Sequence, residues 1–386
     1  MSKGTILYIG GFELPDKNAA AHRVLSIGKI FRDLDYSVVY LGIDKDLECE
    51  APIGTTNKII QGFQCYAQPY PKTNKQWISY LTKIYSFLEI SQSYPDLRAV
   101  VCYNFPAVPF KRIRNYCHKN NLKIFGDCTE WYSTQGSGLG FKVLKGLDGF
   151  FRMRVIQKQL DGLILVSDYL ADYYKNQKNI VLPPLVDLSE DKWKQEKPGF
   201  RVEKIKLVYA GDAGRNKDQL DILIEVLFAL KDKIDFRCTI IGVSYQEYVA
   251  EHKNQIHMIS QLGDKVEFSG RLTHLQCLAV IKSADFSIFL RESNRVANAG
   301  FPTKFTESVS CGTPVITNAT SDLSKFMVEG KNGWFVNNSG INSLENQLLE
   351  VLSLKPDEIQ AMKDYCYRFG IFDYRNFIDQ VSGFLK

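Results

Sequence analysis

The stretch KIKLVYAGDAGRNKDQLDILIEVL, Lys204 to Leu227, decides the fold. Its first residues are a short apolar run of the kind buried on both faces of a parallel sheet. The run breaks at Gly211 and Gly214, and from Leu220 the apolar residues return at helical spacing. A buried strand, a glycine turn and an amphipathic helix form the repeating unit of an α/β sheet.

The same cadence runs outward in both directions. Upstream, TILYIGG, SVVYLGI, RAVVCYN, LKIFGDC and GLILVSD each carry a buried-strand pattern ended by Gly, Asn or Asp. Helical patterns such as AAAHRVLSIGKIFRDL and KQWISYLTKIYSFLEI separate them. Downstream follow FRCTIIG, KVEFSG, FSIFL, TPVIT and GWFV. A chain of 386 residues exceeds the roughly 250–300 at which one core stops growing. The expected architecture is therefore two Rossmann-like, doubly wound domains. The first spans 1–188 and a polar, aperiodic linker spans 189–203. The second domain spans 204–368, and a C-terminal helix at 369–386 is expected to pack back on the first.

Composition narrows the class. The chain is 45 % apolar and 24 % charged, as ordinary globular proteins are. Its nine cysteines are scattered without a C-x-x-C pair, which favours a reducing compartment and thiols used as small apolar residues. With no signal-peptide pattern and no apolar run near ~20 residues, a cytoplasmic protein is expected. Charge is uneven: residues 1–188 hold 23 Lys and Arg against 17 Asp and Glu, so the excess of cations lies in the first domain. It concentrates in 111–158, where Phe141, Leu144, Leu147, Phe150 and Phe151 stand among cations. Either this is a solvated basic face or it meets anionic headgroups at the cytoplasmic side of a membrane. The block carries no nucleic-acid recognition motif, and a nucleic-acid partner is not expected.

Ligands of open α/β sheets sit at the carboxyl ends of strands. Gly10 and Gly11 end the first strand; they either let backbone amides approach an anion or simply make a tight turn. Gly211, Arg215 and Lys217 surround the next helix start, where cations oppose the helix dipole unless an anion lies between. Arg271 follows FSG at another strand end, and Thr273 with Gln276 fits a capping box. In AGFPTKFTESVSCGTPVI, Ala299 to Ile316, Pro302 suits a helix entry, and Lys304 and Glu307 fall on its first turns. They serve either as a surface i,i+3 pair or as two contacts to one ligand, a phosphate and a diol. Near IFGDCTEWY, Asp127 and Glu130 either orient an acceptor hydroxyl or cap a helix, while Arg23 faces either an acceptor's phosphate or solvent. No H-E-x-x-H, D-x-D or Cys-rich spacing is present, so no metal and no cofactor are expected.

GFPTKFTESVSCGTPVIT, with YAGDAGRNKD, FSGRLTH and VEGKNGWFV, resembles the donor domain of bacterial family 4 glycosyltransferases of the GT-B fold. AAAHRV, DCTEWY and LILVSDYLADYY are similar to their acceptor domain. The resemblance covers nearly the whole chain and is strongest over 205–336. It implies two Rossmann-like domains facing across a cleft and a retaining, metal-independent transfer. The sugar would pass from a UDP- or GDP-sugar to a glycan or polyprenyl-linked glycan, in cell-surface polysaccharide synthesis. Lys217 matches the family's diphosphate lysine, Lys304 its Pro-Thr-Lys variant and Glu307 its ribose carboxylate. The donor-binding set it implies is Gly10, Gly11, Gly211, Arg215, Arg271, Gly300, Phe301, Thr303, Gly312 and Thr313. Two departures stand out: Asp212 replaces the family's usual arginine, and Ala299 stands where its first glutamate would be. They leave open a catalytically silent GT-B subunit, and a sugar-nucleotide epimerase on this fold is a further alternative.

Overall fold

A computed structural model describes residues 2–48, 53–131, 139–194, 204–211 and 218–386. They form two compact units, one of Met1–Leu185 with Asp373–Lys386 and one of Val186–Phe372.

The first unit holds an eight-stranded sheet: β1 (Thr5–Gly10), β2 (Ser37–Asp44), β3 (Lys58–Ile60), β4 (Phe63–Pro69), β5 (Leu97–Tyr103), β6 (Lys123–Cys128), β7 (Gly162–Leu165) and β8 (Asn179–Val181). Their order is β3-β4-β2-β1-β5-β6-β7-β8. All neighbours are parallel except β3 and β4. The apolar strand runs are buried throughout β1 and β7, as a sheet covered on both faces requires. β3, β4 and β8 were not anticipated from the sequence. β4 is FQCYAQP, too polar to read as a buried strand, and it is reached through a tight turn. Gln61 and Gly62 both have positive φ there, the geometry that matches the right-handed twist of a hairpin. The single helix expected over KQWISYLTKIYSFLEI is two, Asn74–Tyr80 and Tyr85–Gln92.

The second unit has a six-stranded parallel sheet: β9 (Ile205–Ala210), β10 (Phe236–Ile241), β11 (Val266–Gly270), β12 (Phe286–Ile288), β13 (Val315–Thr317) and β14 (Gly333–Phe335). Their order is β11-β10-β9-β12-β13-β14, so the winding reverses between β9 and β12. At such a reversal, connections leave to opposite faces and open a crevice at the strand ends.

The division between units falls after Leu185 rather than after 188. Val186 N donates to Phe372 O, and Trp193 is buried beside His274, so this segment belongs to the second unit. Residues 369–372 also stay there, because Phe372 packs with Phe301, Phe305 and Phe326. The chain then returns to the first unit. Tyr374 Oη donates to Asp33, and the helix Ile378–Leu385 lays Val381 and Phe384 into the first core. The Phe384 ring lies 5.2 Å from that of Phe125. A Cβ on Gly162 would come within 2.6 Å of Phe384 Cζ, so a glycine in β7 is what lets the helix dock. Replacing Phe384 with Ala should destabilise the first unit by about 3–5 kcal/mol, read as a lowered urea midpoint.

Candidate functional site

The stretch Ala299–Ile316 folds as a helix, Thr303–Ser310, between a proline entry and a glycine exit. Pro302 precedes it with extended backbone, and its carbonyl accepts from Phe305 N. Gly312 closes it at φ +75°, a conformation that favours glycine, and the chain runs on into β13. Phe305 and Val309 bury one face, which turns Lys304 and Glu307 toward the other.

Lys304 is not a surface partner of Glu307. Its amine lies 2.6 Å from Asp218 Oδ2 and 5.3 Å above the Tyr209 ring. Tyr209, on β9, donates its phenol to the same Asp218 oxygen at 2.7 Å. Arg291, just past β12, brings Nε to 3.6 Å from Asp218 Oδ1, and the two backbones bridge. Asn318 holds Arg291 from the other side: it accepts from Arg291 N and donates to Arg291 O, each at 2.8 Å. Lys304, Asp218, Tyr209 and Arg291 thus meet at the reversal point of the second sheet. Gly211 gives them room, because a Cβ there would run into Cε and Nζ of Lys304.

The charges are unequal. Among the described residues two cations face one carboxylate, and Asp218 and Arg291 are each about 95 % buried as side chains. Burial alone would raise the Asp218 pKa, but the charge and hydrogen bond of Lys304, the Tyr209 phenol and Arg291 outweigh it and hold the carboxyl below its usual 3.8. Burial lowers Arg291 from its ordinary value, against the pull of Asp218.

Glu307 is a quarter exposed, and its Oε1 lies 3.6 Å from Nε2 of His274. His274 opens the helix His274–Ser283, which the expected capping box starts: Thr273 Oγ1 accepts from Gln276 N, and Gln276 Oε1 accepts from Thr273 N. Lys304 and Glu307 therefore reach different partners from one helix.

Several expected donor contacts have structural work instead. Phe301 is buried among Phe305, Phe326 and Phe372. Thr313 is wholly buried, and its hydroxyl donates to Ile281 O at 2.7 Å. Gly312 forms the helix exit. Gly10 sits where a Cβ would come within 2.8 Å of Tyr103 on β5, so strand packing explains it. Gly11 is exposed, and a Cβ there would lie 3.9 Å from Tyr80 Oη; Gly300 is buried after the short helix Arg295–Ala299, and Thr303 is the half-buried first residue of the Lys304 helix. Arg271 is exposed just past β11. Ala299 is buried. Lys217, Arg215 and Asp212 lie outside the described residues.

The acceptor-side expectation needs correction. Arg23 and Asp127 face neither an acceptor nor solvent; they form a buried ion pair, with Arg23 5 % and Asp127 0 % exposed. Arg23 Nε donates to Asp127 Oδ1 at 2.9 Å, and the Tyr8 phenol donates to Oδ2 at 2.6 Å. Arg23 Nη1 reaches Leu182 O at 2.8 Å, fixing the chain just before it leaves the unit. Arg23 comes from the helix after β1 and Asp127 from β6, so no local sequence pattern pairs them. Glu130 stays half-buried just past β6. At the carboxyl ends of β1, β2 and β4 lies a cavity of about 180 Å³, whose lining includes Gln68, Tyr70, Gln76, Tyr80, Lys83 and Tyr85. The sequence reading missed it, because the wall is built from the helix that breaks in two.

Glu13, Asp44 and Asp46 form the group of carboxylates within metal-binding reach among the described residues, their oxygens within 4.8 Å. Lys17 pairs with Glu13 at 3.0 Å and with Asp46 at 2.8 Å, which already balances much of that charge.

The comparisons now bear on this geometry. Residues 190–368 match the family model of glycosyl transferases group 1, a match that contains the whole Lys304 site. That match spans a little under half of the chain. No curated protein matches the chain by sequence. Solved structures share the GT-B fold over nearly its full length. Sucrose-phosphate synthase from Thermosynechococcus elongatus is 15 % identical, with TM-score 0.74 over 99 % of this chain and 98 % of that one. HepE from Anabaena, in complex with UDP and glucose, is 13 % identical, with TM-score 0.69 and 99 % of each chain covered. The lipopolysaccharide outer core galactosyltransferase WaaB is 14 % identical, with TM-score 0.60 over 98 % of this chain and 99 % of that one.

Because Asp218 is held ionised below its usual range, it contributes stability that is present above about pH 4 and lost as the pH falls through its folded value. Asp218→Asn should therefore lower the thermal midpoint at neutral pH and leave a smaller further drop between pH 5 and pH 3 than wild type shows.

Proposed function

We propose that this protein is a glycosyltransferase that moves a sugar from a nucleotide-diphosphate sugar to a glycan or lipid-linked glycan, with retention of configuration, in cell-surface polysaccharide synthesis. One observation carries the reading. Lys304 and Glu307 rise from the first turns of one helix, at the reversal point of the second sheet, inside the segment that matches the family model. Among the described residues, the excess of one cation over Asp218 leaves capacity for an anion. In this reading a diphosphate oxygen shares Lys304 with Asp218, and Glu307 accepts from the ribose diol. Lys217 joins the diphosphate, as the family resemblance implies.

The chemistry asks little of a protein base. The bond from the anomeric carbon to the β-phosphate oxygen breaks while an acceptor hydroxyl attacks from the same face. The departing phosphate takes the hydroxyl proton, and Lys304 stabilises the charge that develops on it. The acceptor belongs on the first unit, where Glu130 and the tyrosine-lined cavity offer hydroxyls, amides and rings to a sugar. HepE was solved with UDP and glucose, so UDP-glucose is the first donor to try.

Donor binding by calorimetry and release of UDP or GDP from a panel of donors with glycan-lipid acceptors test the proposal. Lys304→Ala should cost about a hundredfold in kcat/KM, the usual loss of one charge-stabilising donor. Glu307→Gln should weaken donor binding about tenfold, with a smaller effect on kcat, since each ribose contact to a charged group is worth ~1.5–3 kcal/mol. Wild-type activity in Lys304→Ala removes the phosphate assignment. Binding without turnover marks a silent subunit, and product formed from donor alone marks an epimerase.

A further inference from the structure

The helix Leu139–Phe151 and the π-turn Arg152–Ile156 that continues it carry an apolar face that is exposed among the described residues. Val143, Leu144, Leu147, Phe150, Phe151 and Val155 are 38 to 58 % exposed. Their spacing puts them on one stripe, about 18 Å long at 1.5 Å per residue. The opposite face is finished: Met153 and Ile156 are buried, and Arg152 points inward to Asp148 at 3.7 Å. Large side chains are thus exposed on one side of an element whose other side is already packed.

The charges around the stripe share one sign. Asp148 is the single acid between Val143 and Lys158, and its carboxylate is turned to Ala107 N at 2.7 Å and to Arg152. Lys145, Arg154 and Lys158 remain, with Arg154 lying 5.0 Å over the exposed Phe150 ring. The helix Ala107–Lys119 packs alongside and contains no acid; it exposes Val108, Lys111 and Arg112. No helix among the described residues is long and apolar enough to cross a membrane.

We propose that this face docks in the plane of an anionic bilayer, with the Leu and Phe side chains between the acyl chains and the cations at the headgroups. An in-plane helix needs a strongly apolar side rimmed by cations and little net hydrophobicity elsewhere, which is the pattern here. A protein partner of mixed charge would leave these cations without complementary groups, whereas anionic headgroups supply them all along the rim. The docking does not depend on which donor or acceptor the enzyme uses.

Sedimentation of the full chain with vesicles, without any sugar donor, tests it. Wild type should bind vesicles of equal parts phosphatidylcholine and phosphatidylglycerol, and bind pure phosphatidylcholine much more weakly; 0.5 M salt should weaken the binding. The variant Leu147→Ser, Phe150→Ser, Phe151→Ser should lose at least about tenfold in partitioning, because three buried apolar side chains are removed from the lipid. The variant Lys111→Glu, Lys145→Glu, Arg154→Glu should lose the preference for anionic lipid. All positions are exposed except the half-buried Lys145, and an unchanged thermal midpoint shows that each variant is folded. No binding by wild type, or undiminished binding by the serine variant, overturns the proposal. So does a wild-type dimer that the serine variant converts to monomer without any vesicle association, which makes the face a contact between copies of this chain.

Discussion

A lysine amine held 2.6 Å from a buried carboxylate organises the second unit. Asp218 is nearly shut off from water, so its ionised form exists only because Lys304, Tyr209 and Arg291 surround it. That requirement ties β9, the segment past β12 and the helix Thr303–Ser310 together at one point. Among the described residues it also leaves the cluster one positive charge in excess, at the place where a wound sheet opens, and the proposed diphosphate would balance it.

The first unit is built on a parallel constraint with the opposite consequence. Arg23 and Asp127 balance each other, and Tyr8 fills the remaining acceptor position. Burial, then the Asp127 charge, push the Tyr8 phenol well above its ordinary value, so it remains a donor. Nothing is left over for a ligand. Breaking such a pair by removing one partner typically costs 3–5 kcal/mol, since the other charge stays buried. Two ion clusters of similar composition therefore differ: one closes a core and anchors the chain at Leu182, while the other, among the described residues, carries one cation more than acid.

The apolar stripe at Val143–Val155 adds a third constraint on a separate surface. Its helix is anchored by Asp148 to the neighbouring helix start, which fixes the exposed face in orientation. A face fixed in this way is what the proposed docking on an anionic bilayer requires.

Much of this was legible in the chain. The strand runs, the glycine exits at Gly211 and Gly312, the Thr273–Gln276 cap and the helix carrying Lys304 all follow from period, propensity and turn chemistry, which act over a few residues. Partner choice did not. Lys304 and Glu307 look like a pair at i,i+3, yet one meets Asp218 and the other lies near His274, because helix packing turns each toward a different neighbour. Arg23 and Asp127 look like ligand groups for the same reason that buried ions always can: a charge carries no mark of its burial until distant strands enclose it. The strand β4 and the cavity beside it were invisible because β4 is too polar to carry a buried-strand pattern and the cavity wall comes from a helical pattern that breaks in two. Local order was written in the sequence; which charges would be neutralised and which left available was decided by tertiary contacts, since only these set solvent access and distance.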